Sequence, residues 1–206
     1  MPVEITWLGH ASVMITNGSS TVYIDPWKVD RNLPKGGLIL VTHGHSDHYS
    51  PPHIEMLSGR DTKVVCPEPM PLVTDVISAG RSVSFEDVTV EAFPAYNLEK
   101  QFHPKAKGWV GYVVAIDGRK IYHAGDTDSI PEMKELDVDL ALVPVGGTYT
   151  MNEEEAAEAV RAMRARAVIP IHFGDIVGSK ENAERFSRMA GVETHVLDPG
   201  QSHILS

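Results

Sequence analysis

The sequence predicts a mixed α/β fold made of two halves, each opened by an antiparallel hairpin. Three observations carry that expectation. The runs "VEITWL", "ASVMIT" and "TVYIDP" read as a strand meander with a tight turn at Asn17 and Gly18. The runs "WVGYVVAI" and "KIYHAG" flank a "DGRK" turn and repeat the arrangement in the second half. Short apolar runs such as "GLILVTH", "DLALVPV" and "AVIPIH" are long enough for buried strands and too short for helices, and helical segments separate them. With 206 residues and 42% hydrophobic content, the chain can build one substantial core, so a single domain over 1–206 is expected.

The remaining elements follow in order. Pro51 and Pro52 open a short helix, because proline is tolerated in the first helical turn. A strand "TKVVC", a helix near "MPLVTDVISAG" and strands "SVSF" and "VTVEAFPA" complete the first half. In the second half a short helical piece follows Pro131. Thr150 with Glu153 reads as a capping box for a helix over "MNEEEAAEAVRAMRA", with Arg161, Arg164 and Arg166 as its solvated C-terminal face.

A formal net charge of -10 argues against a dedicated nucleic-acid partner, since nonspecific affinity comes from neutralising phosphates. No basic leader and no run of membrane-spanning length is found, so a soluble, cytoplasmic protein with no membrane insertion is expected. The lone Cys66 reads as a small buried apolar residue and suits a reducing compartment. Nothing in the chain excludes a homo-oligomer.

The chemistry is concentrated in "VTHGHSDHYS". His43 and His45 stand two apart in an extended segment, which directs both rings to one side, and Gly44 keeps the backbone between them lean. Asp47 and His48 follow as the chain turns, so they face a neighbouring point. Such a set suits zinc or a similar borderline divalent ion. Asp126 in "YHAGDTD" and His172 in "IPIHFG" also stand just beyond apolar strands, and a carboxylate from a separate strand end is what a bridged two-metal site requires.

In this order "HGHSDH", "GDTD" and "IPIHFG" resemble the metal motifs of the metallo-β-lactamase superfamily, over nearly the whole chain. The stretches "GHAS", "IDPW", "YHAGDTD" and "LVPVGGTYTM" resemble more closely the metal-dependent hydrolases related to ascorbate-6-phosphate lactonase and N-acyl-phosphatidylethanolamine phospholipase D. The resemblance implies an αββα sandwich of two mixed β-sheets flanked by helices, with the site at one edge. It also implies two divalent metal ions, zinc first, with manganese, iron or nickel as alternatives. Carried over, His43 and His45 hold the first metal, Asp47, His48 and His172 the second, and Asp126 bridges them. The family's third histidine for the first metal has no direct counterpart, because "PAYN" stands where "PAWH" is expected. Either Asn97 ligates through its amide oxygen or His103 swings in, and the imidazole is the stronger ligand for zinc-like ions. His10 in "GHAS" is a candidate for a supporting or substrate-binding role, and Asp25 in "YIDPW" for fixing a ligand ring. His53, His195, His203 and His123 receive no role.

This reading predicts a binuclear hydrolase that activates water to cleave an ester, lactone, amide or phosphodiester bond in a small molecule, with Asp47 orienting the nucleophile. Alternatives are a non-catalytic metal-binding or scaffold protein with this fold and an RNA-cleaving nuclease. Lys100, Lys105 and Lys107, on the loop that carries Asn97 and His103, suggest an anionic substrate steered by local positive charge.

Overall fold

The computed structural model describes residues 2–205. The opening meander is β1 (Val3–Gly9), β2 (Ser12–Thr16) and β3 (Thr21–Ile24), paired antiparallel in sequence. Parallel strands β4 (Gly36–Leu40), β5 (Ser58–Cys66) and β6 (Asp75–Val76) extend the same sheet. The second half repeats the plan. β7 (Ser82–Phe85), β8 (Val88–Pro94), β9 (Val110–Ile116) and β10 (Arg119–His123) are antiparallel, and β11 (Asp137–Pro144), β12 (Arg164–Ile171) and β13 (Glu193–Thr194) continue in parallel. The last strand, β14 (Ser202–Leu205), returns to the first sheet antiparallel to β1, so among the described residues each sheet has seven strands.

Burial on both faces explains why the strands read as continuous apolar runs. Alternate residues of β3, β4 and β5 go to opposite sides. Val22, Ile24, Leu38, Leu40 and Val65 join the large core with Tyr112, Val114, Ile121 and Leu140 of the second sheet. Tyr23, Ile39, Val64 and Cys66 pack outward on Ile54 and Leu57 of helix α1 (Pro51–Leu57). Burial pushes the Cys66 thiol up to about 12, consistent with an inert core residue. Helices α2 (Glu153–Ala162) and α3 (Lys180–Met189) bury Ala156, Ala159, Val160, Ala183 and Phe186 against the second sheet. The resulting layers are the expected two mixed sheets with helices outside. Among the described residues, no helix is long and apolar enough to cross a membrane.

Two expected helices differ. The segment "MPLVTDVISAG" is a turn followed by β6, because Thr74 pairs with β5: its N–H donates to the Val64 carbonyl at 2.9 Å and its Oγ1 accepts from Val64 N–H at 3.0 Å. Leu72 there holds φ of 68°, which no helix continues. Helix α2 is shorter than expected, and its cap is Asn152, not Thr150. Asn152 Oδ1 accepts from Glu155 N–H and Glu155 Oε2 accepts from Asn152 N–H, both at 2.9 Å. Arg164 and Arg166 are strand residues of β12, drawn into the sheet by pairing with β11, and they meet Asp137 at 3.3 Å and Asp139 at 2.6 Å.

Candidate metal centre

The strand order brings the ends of β1, β4, β10 and β12 to one edge of the sandwich, and the next few residues of each supply a side chain to one cluster. His10 follows β1, residues 43–48 follow β4, Asp126 follows β10 and His172 follows β12. His10, Asp25 and His172 hold positive φ of 49°, 47° and 58°. Left-handed backbone is uncommon for such residues and tends to gather at functional sites. At Gly146 an added Cβ would stand 2.2 Å from the His172 carbonyl oxygen, so glycine is required where β11 ends beside this loop.

Two groups of donors meet at Asp126. His43, His45 and His103 form one, with His43 Nε2 3.0 Å from His45 Nδ1. His10, Asp47, His48 and His172 form the other, with Asp47 Oδ2 3.1 Å from His10 Nε2, 3.5 Å from His48 Nε2 and 3.9 Å from His172 Nε2. Asp126 Oδ2 lies 3.1 Å from both His103 Nε2 and His172 Nε2, and its Oδ1 is 3.2 Å from His48 Nε2. The carboxylate therefore touches both groups. The buried atoms His48 Nε2, His103 Nε2, His172 Nε2 and Asp126 Oδ1 have no hydrogen-bond partner. Four unpartnered donor atoms turned toward one point fit divalent cations, which would use those lone pairs and satisfy them.

The electrostatics agree with a cation site. Burial works to raise the Asp126 pKa, but His172 and His48 outweigh it and hold the carboxyl well below its usual range. For Asp47 burial again acts upward, and the His10 hydrogen bond with the neighbouring His48 ring holds it down. Burial works to lower His48, yet Asp126 and Asp25 raise it well above the ordinary imidazole value. Burial and the neighbouring His48 push His43 well down, and burial with His103 lowers His45, so both rings are neutral and free to ligate.

Behind the donors lies a set of residues that aims them. Asp25 is fully buried and accepts from Thr42 N–H at 2.8 Å, Thr42 Oγ1 at 2.7 Å and His48 Nδ1 at 2.7 Å. With its proton committed to Asp25, Thr42 Oγ1 accepts from His43 Nδ1 at 3.0 Å. One carboxylate thus orients a ring in each group and leaves both Nε2 atoms facing the centre. Asn97 does not stand among the grouped donors. Its Oδ1 accepts from His103 N–H at 2.8 Å and lies 3.3 Å from His103 Nδ1, while its Nδ2 donates to Asp128 Oδ1 and the Tyr149 carbonyl, both at 3.0 Å. Asn97 therefore faces the back of the His103 ring, and of the two residues it is His103 that stands near His43 and His45.

Sequence reasoning missed Thr42, Glu68, Trp109, Asp128, Tyr149 and the structural part of His123. Glu68 Oε1 accepts from Gly44 N–H at 3.0 Å and Trp109 Nε1 at 2.7 Å, and the Trp109 ring packs 4.8 Å from both His43 and His45. His123 is buried, donates from Nε2 to the Ala11 carbonyl at 2.8 Å and accepts Gly125 N–H at 3.2 Å, joining the β10 end to the His10 loop. Only the "T" directly before "HGH" carried a local signal. His195 and His203 stack on each other at 3.8 Å, away from the cluster.

Of the three loop lysines expected to steer an anion, two are paired with acids. Lys100 Nζ binds Asp128 Oδ1 at 2.7 Å, Lys105 Nζ binds Glu132 Oε1 at 3.2 Å, and Lys107 Nζ sits 5.7 Å from the Trp109 ring centre. Acids from other segments compensate Lys100 and Lys105, whereas Lys107 lies over the Trp109 ring.

Comparison with known proteins agrees with this geometry. The profile of the β-lactamase superfamily domain matches residues 4–172. A UPF0173 metal-dependent hydrolase of Thermus thermophilus is 33% identical, with 97% of each chain covered. A solved chain of Parabacteroides distasonis, assigned to the metal-dependent hydrolases, is 32% identical with TM-score 0.83, over 94% of this chain and 92% of that one. The metallo hydrolase Igni18 of Ignicoccus hospitalis has TM-score 0.82 over 100% and 99% of the two chains at 22% identity, a likeness of fold. By motif, architecture and relatives, this chain belongs to the β-lactamase superfamily, among its metal-dependent hydrolases.

Proposed function

We propose that the protein is a binuclear metal-dependent hydrolase that cleaves an ester, lactone, amide or phosphodiester bond in a small molecule. The observation that carries the reading is Asp126, whose carboxylate meets imidazole nitrogens of both donor groups within 3.1–3.2 Å. His43, His45 and His103 would hold one ion, Asp47, His48 and His172 the other, and Asp126 both. When bound, two such ions, zinc by ligand chemistry, would polarise the scissile bond and lower the pKa of the attacking water.

The chain's own residues account for the rest. Asp25 and Thr42 keep the His48 and His43 protons on Nδ1, so Nε2 faces the centre. Asn97 and the Tyr149 carbonyl do the same for His103, whose Nδ1 lies 3.3 Å from each. Asp47 is only partly buried and lines the cleft beside Asp126, placed to orient water by accepting its hydrogen bond. His10 Nε2, 3.1 Å away, fixes that carboxylate.

Elemental analysis of protein purified without added metal, joined to a screen of neutral and anionic lactones, esters, amides and phosphodiesters, tests the proposal. Two metal equivalents and metal-dependent turnover are expected. Fewer than two equivalents at saturation removes the binuclear assignment, and full loading without turnover of any class favours the non-catalytic reading.

A further inference from the structure

The cleft over the donors encloses about 180 Å³, and its walls divide by chemistry. The polar part of the lining is His45, Asp47, His103, Asp126 and His172, and the apolar part is Phe102, Tyr149 and Ile176. Phe102 is 46% exposed and Ile176 49% exposed, two of only six large hydrophobics so exposed among the described residues. Single exposed apolar residues are ordinary on a protein surface, but two at one cleft mouth are informative.

Both stand close in the chain to a donor histidine. Phe102 immediately precedes His103 and meets the Tyr149 ring edge-on at 4.7 Å, while the Tyr149 carbonyl faces His103 Nδ1 at 3.3 Å. Ile176 lies on the loop just after His172. The loops that deliver a histidine from each donor group therefore each set one apolar side chain above it.

Charge around the mouth points the same way. No lysine or arginine lines the cleft among the described residues. On the neighbouring loops Lys100 and Lys105 are held by Asp128 and Glu132, and Lys28 meets both carboxylate oxygens of Asp175 at 2.9 Å, next to Ile176. A phosphate or carboxylate on the substrate's outer end would find no cationic side chain in the cleft lining, whereas an apolar group would cover Phe102 and Ile176 and remove them from water.

We propose that Phe102, Tyr149 and Ile176 form an apolar specificity subsite that takes an uncharged alkyl or aryl substituent of the substrate. The inference rests on the hydrolase reading for the word substrate, and it concerns the part of that molecule farthest from the reacting bond. It replaces the anionic end group suggested by the lysines in sequence.

The test uses metal-reconstituted full-length protein of measured metal content and three probes with one common anchor: acetohydroxamate, octanohydroxamate and the monohydroxamate of succinate. Calorimetry should show octanohydroxamate binding about tenfold or more tighter than acetohydroxamate, since a few methylenes in an apolar pocket discriminate on that scale. The succinyl probe should gain nothing. In the double variant Phe102→Ala, Ile176→Ala the octanoyl-to-acetyl ratio should fall towards one with metal content retained, and Phe102→Leu should keep most of it. An octanoyl probe no tighter than the acetyl one, a succinyl probe that binds tightest, or an unchanged ratio in the double variant overturns the subsite. So does a wild-type dimer that the double variant turns into monomer with the ratio unchanged, which would make the rim an interface between copies. Neutral esters of the same acyl series separate the two levels. If none is hydrolysed while the binding ratio behaves as expected, the hydrolase reading fails and the apolar subsite stands.

Discussion

Replacing Asp25 with asparagine should damage metal binding without touching a proposed ligand. Asp25 accepts three hydrogen bonds at 2.7–2.8 Å and is 0% exposed. An asparagine keeps a carbonyl for Thr42 N–H, but its amide group then faces two donors, Thr42 Oγ1 and His48 Nδ1. One relief is for His48 to move its proton to Nε2, the atom 3.2 Å from Asp126 Oδ1, where it blocks a metal. The alternative leaves a buried donor opposed, at a cost of about 1–3 kcal/mol. Loss of an outer partner of this kind costs roughly 10–100-fold in metal affinity, about 1.4–2.7 kcal/mol. Competition against a chromophoric chelator, resolving the tighter and weaker ions, measures it. Thr42→Val is the matched control: it removes the acceptor for His43 Nδ1 at 3.0 Å and leaves the Asp25–His48 bond at 2.7 Å. Asp25→Asn should weaken chiefly the ion held by His48, and Thr42→Val chiefly the ion held by His43. Wild-type affinity at both sites in Asp25→Asn, or the same site weakened by both changes, refutes the reasoning.

Other changes test the rest of the centre. Asp126→Ala should lose metal and turnover together, beyond the roughly 100-fold typical of an outer partner, because it removes the carboxylate shared by both groups; atomic absorption after gel filtration reads the metal, and full content would end the bridging role. His103→Ala should weaken the first ion more than Asn97→Ala, for which about tenfold is expected because it only frees the ring; equal affinities in limiting-metal titrations would mean neither contributes. In the metal-free protein His48 is raised well above 6.5, so it carries a proton at neutral pH that a metal must displace. Metal affinity should therefore rise with pH up to that folded-state value, and calorimetry in buffers of different ionisation enthalpy should detect the released proton. The same shift stabilises the metal-free fold fully below pH 6.5 and is lost as pH rises through the folded value. The depressed Asp126 stabilises it above its ordinary 3.8 and is lost as pH falls through its own folded value.

What the sequence determined by itself was local. Spacing decides which strands alternate, so the two hairpin-opened halves could be read from runs such as "VEITWL" and "WVGYVVAI". The group at residues 43–48 is legible because its histidines and aspartate are chain neighbours, and Asp126 and His172 because each stands just past a buried strand. The "MPLVTDVISAG" segment misled because its helical pattern is overridden by pairing with β5, a contact no local window contains. Only the tertiary structure decided which of Asn97 and His103 faces the other donors, since the two are held by Asp128 and Tyr149 from distant segments. It alone showed that Asp25 and Thr42 aim two rings at once, that Lys100 and Lys105 are spent on acids far along the chain, and that Phe102 and Ile176 share one cleft mouth. The reason is common to all of these. Ligand chemistry is written in residue type and short spacing, whereas orientation, charge compensation and shape come from partners joined only when the sheets pack.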